Sequence, residues 1–305
     1  MRFEPPGERL SAPMQADTRG AIATSAPPVT TARRVSLWMM AAAMVLVVGL
    51  KSVPDPGPVA WHWPGFALAA AALVVGRRDA DRNWFRILVL LAYTIVVLWF
   101  TRIDGDTGNA HVLELTVTLG VGILVVPALA ARWWLGEPLD YSWMSGRWSL
   151  KMWLWLPAAL ALAYGILWLY FHELTPDLHL NWPLPPPDHP RQEEALWRLF
   201  WGCNLVGLWD ELAFINFVFV LLDRRFGSWE ANCAQAVFFT SFLHEMAFVG
   251  WGPVFVYAFA LTQGYTYRRT RSLLYIVILH LMVDTVLFSM IASRWYPGWG
   301  WSWHP

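Results

Sequence analysis

Three apolar stretches of this chain carry ionisable side chains in their midst. One reads Gly207-Leu208-Trp209-Asp210-Glu211-Leu212-Ala213-Phe214-Ile215-Asn216, a second Ser241-Phe242-Leu243-His244-Glu245, and a third His280-Leu281-Met282-Val283-Asp284. A charge in the middle of a bilayer costs several kcal/mol on most scales, so acids and histidines kept there are candidates for proton transfer, metal ligation or ion passage. His280 and Asp284 stand four residues apart on one helix face, where the carboxylate can orient the imidazole or share a site with it. Asp210 and Glu211 are adjacent and diverge by about 100° around a helix axis, which leaves one free to face a site while the other braces a neighbouring helix.

Depth adds a second constraint. At a rise of about 1.5 Å per residue, Asp210 falls near mid-membrane counted back from Arg224, and His280 near mid-membrane counted forward from Arg271. His244 lies closer to the external end of its stretch. A lone intramembrane histidine is more often an interhelical hydrogen-bond partner than a ligand, but five ionisable residues at similar depth on three helices argue for a shared site. Asn204, Asn216 and Gln263 read as interhelical hydrogen-bond donors. Glu245 is expected to face another helix or the outer mouth, and Glu114, near the end of its span, to serve the rim. Cys203 and Cys233 have neither redox nor metal spacing and read as small core residues.

The elements that must position these groups are membrane helices. Of the 305 residues 57% are hydrophobic and 14% charged, far from the soluble average of roughly 45–50% and 25%. Long apolar runs without strict alternation select helices over a barrel. The expected fold is an all-α polytopic transmembrane bundle of about nine spans, near 35–50, 59–76, 84–101, 111–131, 150–171, 198–222, 231–250, 253–267 and 272–292. With the N-terminus inside and the C-terminus outside, Arg33, Arg34, Arg77, Arg78, Arg82, Arg132, Arg147, Lys151, Arg224, Arg225, Arg268, Arg269 and Arg271 all fall on cytoplasmic sides, as the positive-inside rule requires.

Residues 1–34, rich in Pro, Ala, Ser and Thr, read as a disordered cytoplasmic tail. Residues 35–171 form a five-span scaffold, 172–197 an external Pro-rich loop, 198–292 a four-span core holding the ionisable residues, and 293–305 a Trp-rich external tail. Many of the 22 tryptophans sit near the ends of apolar runs, as interfacial anchors do. The net charge of zero gives no footprint for a nucleic-acid partner, and P-loop, Rossmann and GxSxG motifs are absent. Lipid is the implied environment, in a multi-pass protein of the cell membrane, of bacterial inner-membrane type.

In their order and spacing the three motifs resemble the CPBP family, the intramembrane proteases related to CaaX prenyl endopeptidase and bacteriocin-processing (Abi-type) proteins. That family carries EExxxR on one helix, a phenylalanine shortly before a histidine on the next, and HxxxN or HxxxD on a third. Asp210 and Glu211 match the paired acids, His244 the middle histidine, and His280 with Asp284 the last motif; Asp223-Arg224-Arg225-Phe226-Gly227 also resembles the family. The resemblance spans roughly residues 195–292. Asp210 replaces the first glutamate, Ile215 stands at the arginine, and Phe239 lies five rather than four residues before His244.

The resemblance implies hydrolysis of a peptide bond in a membrane-associated peptide, lipidated protein or single-span protein. Asp210 or Glu211 would be the base with His244 as its partner, and His280 with Asp284 would stabilise the oxyanion. A metal-independent site is favoured over zinc. Were zinc used, as in a metalloendopeptidase, its ligands would be His244, His280 and Glu211, although His244-Glu245 is followed by Phe248 and so lacks the HExxH signature. The same residues also suit a catalytically impaired scaffold that binds a membrane partner, or a midplane ion or solute transporter, though no inverted repeat supports the latter.

Overall fold

The computed structural model describes residues 29–51, 59–139, 143, 148–246 and 248–299. Its described residues are helical, without strand. We label the helices α1 (Thr31–Gly49), α2 (Val59–Gly76), α3 (Arg82–Phe100), α4 (Asn109–Leu135), α5 (Leu150–Leu174), α6 (Gln192–Asp223), α7 (Ser228–Glu245), α8 (Gly252–Thr270) and α9 (Leu273–Trp295). Local chemistry fixes several starts. The side chains of Thr30, Asp81, Ser149 and Ser272 accept hydrogen bonds from the backbone amides of Arg33, Asn83, Met152 and Tyr275, satisfying donors that a helix N-terminus leaves unpaired. Arg271, at φ +50°, turns the chain sharply from α8 into α9.

Six helices, α1, α3, α4, α5, α6 and α9, are long and apolar enough to cross a membrane. The other three expected spans are helical but do not meet that measure. Trp61–Gly76 of α2 is a shorter apolar helix, α7 is interrupted by Glu230, Asn232, Gln235 and Ser241, and α8 by Thr262, Gln263 and Thr266. Such helices pair their polar groups with each other, and here Asn232 donates to Leu261 O at 2.8 Å and Gln235 to Ala260 O at 2.9 Å. Gly264 permits the approach, because a Cβ there would overlap the Asn232 carboxamide.

Boundaries shift from those expected in three places. The first helix opens at Thr31, so Arg33 and Arg34 lie inside it; residues 1–28 of the expected tail are outside the described residues. The expected loop 172–197 shortens, because α5 runs to Leu174 and α6 begins at Gln192. Between them Leu178–Asn181 makes a 3₁₀ turn, and Leu178, Trp182 and Leu184 are buried against α5 and α9, so this link is packed rather than splayed. Of the Trp-rich end, α9 takes residues up to Trp295, and 300–305 are outside the described residues.

One end of the bundle is tied by ion pairs. Arg33 reaches Asp79 at 2.7 Å, Arg225 reaches Asp81 at 3.3 Å and pairs with Glu137, Asn83 donates to Glu137 at 2.8 Å, and Arg34 reaches Glu230 at 2.7 Å. The cytoplasmic arginines read from the sequence are thus partly consumed in clamping the end of α6 to α3 and α4. Burial pushes the carboxyls of Asp79 and Glu137 up, but Arg33, Thr30 and the Asp81 amide at the first, and Arg225, Asn83 and Arg224 at the second, outweigh it and hold both below the ordinary carboxylate range.

A depressed folded value contributes stability that is complete at neutral pH and is lost as pH falls through that value, so the acid limb of stability begins below about pH 4. The Arg33 and Asp79 side chains are 7% and 0% exposed. Asp79→Ala, which leaves the buried guanidinium only the longer contact with Asp81 at 3.8 Å, is expected to cost about 3 kcal/mol and to flatten that acid limb. Unfolding in detergent as a function of pH checks both; an unchanged acid limb would contradict the assignment.

Candidate active site

The site begins at a change in the winding of α6. Regular α-helix ends at Asp210, and Glu211–Phe219 continue as a π-helix, whose wider turns often mark functional positions. Trp209 anchors the junction, donating from Nε1 to Leu119 O on α4 at 2.9 Å and packing its ring on Phe214 and Phe242. Asp210 and Glu211 are both fully buried.

His280 of α9 comes between these acids. Its Nδ1 lies 2.8 Å from Glu211 Oε1, and its Nε2 lies 3.6 Å from Asp284 Oδ1 and 3.9 Å from Asp210 Oδ2. The rings of Phe239 and Phe259 stand 5.9 and 5.0 Å from the imidazole. Both Asp210 oxygens and Asp284 Oδ2 are buried and make no hydrogen bond. Ile215, at the position of the family's arginine, is fully buried in apolar packing, and among the described residues His280 is the ion-pair partner of all three carboxyls. Gly207 lets α6 and α9 close together, since a Cβ there would overlap the Asp284 carboxylate and meet His280 Cδ2 at 3.2 Å.

A cavity of about 300 Å³ opens onto this group. Asp210, His280, Asp284 and Gln263 line its polar end, and α5 and α8 supply apolar walls; Glu211 does not reach it. Two wall residues of α5, Trp155 and Leu162, are 44% and 56% exposed, so this wall of the cavity belongs to an apolar outer face of the bundle.

Four of the five expected site residues therefore meet: Asp210, Glu211, His280 and Asp284. The structure does not bring His244 to them. It is half-buried near the end of α7, about one turn after Ser241, which packs against Gly49 of α1. Asn232, Gln235, Phe239 and Leu243 share the α7 face that meets α8 and the cavity, and His244 follows Leu243 by about 100° of rotation. The sequence signal was the five-residue step from Phe239, which cannot put phenylalanine and histidine on one face.

The zinc set of His244, His280 and Glu211 is accordingly not assembled, and among the described residues no three His, Cys, Asp or Glu side chains are arranged to hold a metal ion. Gln263, read from sequence as an interhelical donor, donates to Glu211 Oε1 at 2.7 Å. Asn204 bonds within its own helix, to Phe200 O, and Glu114 accepts from the Arg102 amide at the rim. Glu245 lies 3.9 Å from Lys51 of α1's end.

Residues 192–286 match the family model described as Type II CAAX prenyl endopeptidase Rce1-like. That segment runs from the start of α6 into α9 and contains every member of the buried cluster. Neither a curated protein nor a solved structure matches the chain.

Proposed function

With an Rce1-like domain over residues 192–286 as premise, we propose that this chain is an intramembrane endopeptidase that cleaves a peptide bond of a membrane-associated protein or peptide. The observation that carries the reading is the placement of the buried Asp210, His280 and Asp284 together on one largely apolar cavity. Asp210 is the base. Its unbonded carboxylate takes a proton from water while the water oxygen adds to the substrate carbonyl carbon. His280 donates from Nε2–H to the oxyanion so formed, and the Asp284 carboxylate, 3.6 Å from that nitrogen, holds it in place. When the tetrahedral adduct collapses, the C–N bond breaks and Asp210 returns its proton to the leaving amine. The products are an acid and an amine, with one water consumed.

The proposal includes nine membrane crossings, with the N-terminus inside and the C-terminus outside. Ion pairs and hydrogen bonds support it. One set joins the start of α1 and α3 to the ends of α4 and α6 and the start of α7. On the other side Lys51 after α1 donates to Thr101 O after α3, and Arg198 of α6 reaches Asn109 of α4. This alternation fits helices that each traverse the bundle.

The test is cleavage of a panel of prenylated C-terminal peptides and single-span proteins by the full-length chain in nanodiscs, read by mass spectrometry. Wild type is expected to cut at least one class, with or without a chelator, and Asp210→Asn is not. Equal processing by both sinks the reading. A second reading, a catalytically impaired scaffold, draws on Ile215 and on the rotation of His244 away from the acids; intact substrate bound at the cavity and never cut would favour it. Gly207→Ala displaces the Asp284 carboxylate and is expected to lower kcat by about 10- to 100-fold, whereas Gly202→Ala, where an added methyl meets nothing, leaves the rate unchanged.

A further inference from the structure

The cluster contains one carboxylate that the proposed chemistry does not use. Glu211 is fully buried yet stays off the cavity, although its neighbour Asp210 reaches it. Its Oε1 receives two contacts, from Gln263 Nε2 at 2.7 Å and from His280 Nδ1 at 2.8 Å. Gln263 comes from α8, the core helix that carries none of the three motifs, and it is buried.

The orientation of the Gln263 amide follows from its surroundings. Its Nε2 lies 3.4 Å from Ile276 O as well as 2.7 Å from Glu211 Oε1. A backbone carbonyl can only accept, so the atom between the two must be the NH₂ group. Glu211 Oε1 therefore already accepts one hydrogen bond, and the contact with His280 is completed when Nδ1 carries a proton and donates as well. A carboxylate that accepts from one ring nitrogen fixes which nitrogen is left for chemistry. Here the nitrogen left is Nε2, which faces Asp210 and Asp284.

We propose that Gln263 and Glu211 are positioning residues that hold His280 with Nδ1 protonated and Nε2 directed into the cavity. Gln263 acts through Glu211: it fixes the carboxylate, and the carboxylate fixes the imidazole. Among the described residues no guanidinium pairs with Glu211, and an amide from α8 supplies the restraint. The catalytic consequence rests on the protease reading above; the state of His280 does not.

The test has two readouts. In the full-length chain labelled with ¹⁵N-histidine, His280 is identified among the eight histidines by its loss in His280→Asn. Wild type is expected to show a protonated, hydrogen-bonded Nδ1, and Gln263→Met to lose that single state to a mixture. Gln263→Asn keeps an amide but withdraws it by one methylene, and gives the same result where the apolar change prevents accumulation. On a cleaved substrate Gln263→Met should lower kcat by about 10- to 100-fold with KM nearly unchanged, and the double variant with Glu211→Gln should be no slower than Glu211→Gln alone. A His280 spectrum indifferent to both Gln263 changes, or losses that multiply in the double variant, overturns the proposal. Altered spectra in a protein that cuts no substrate would uphold the positioning and reject the protease reading.

Discussion

Asp210→Asn is expected to lower the cleavage rate by about 10²- to 10⁴-fold, the range for losing a positioned general base. The change is nearly isosteric. Neither Asp210 oxygen makes a hydrogen bond in the structure and its one ion pair, with His280, is long at 3.9 Å, so the folded state loses little and the loss falls on kcat. Glu211→Gln provides the contrast. It sits one residue away in the same buried cluster but off the cavity, and its effect arises through His280. If Glu211→Gln abolished turnover while Asp210→Asn kept a wild-type rate, the roles of the two acids would have to be exchanged. Steady-state kinetics in nanodiscs on one identified substrate distinguish the cases.

His280→Gln is expected to cost about 10²- to 10³-fold in kcat, the range for removing one oxyanion donor. A second effect accompanies it. His280 is the ion-pair partner of Asp210, Glu211 and Asp284 among the described residues, so its removal leaves three carboxyls facing one another. Thermal unfolding should therefore show a stability loss in His280→Gln that Asp284→Asn added to it partly reverses, because the second change removes one of the like charges. His244→Ala serves as the comparison: His244 does not line the cavity, and the change is expected to alter kcat far less than either. A collapse of activity in His244→Ala with His280→Gln near wild type would refute the arrangement.

Helical class, membrane environment and the region of the site were legible in the chain itself. Apolar runs longer than a bilayer needs, with acids and histidines embedded in them, admit few other readings. The step of four from His280 to Asp284 placed both on one face, and the structure keeps them at 3.6 Å. The adjacency of Asp210 and Glu211 implied that they point in different directions, which they do. Which one faces the cavity was not readable, because periodicity fixes a residue's place around its own helix but not the rotation of that helix against its neighbours.

That rotation is a tertiary matter, and α7 illustrates it. Asn232 and Gln235 must satisfy their amides in an apolar interior, and the carbonyls of Leu261 and Ala260 on α8 are where they do so, at a crossing that Gly264 keeps close. Those bonds turn Phe239 and Leu243 toward the site and Ser241 toward Gly49 of α1, which leaves His244 off the cavity. The same limit hid α5, expected in the scaffold, which lines the cavity, and Gln263, whose partner Glu211 lies 52 positions away in sequence. The ionisable residues inside the membrane were thus set by sequence; the selection of Asp210, His280 and Asp284 as the group facing the cavity was made by helix rotation, which depends on distant polar pairs that no local pattern encodes.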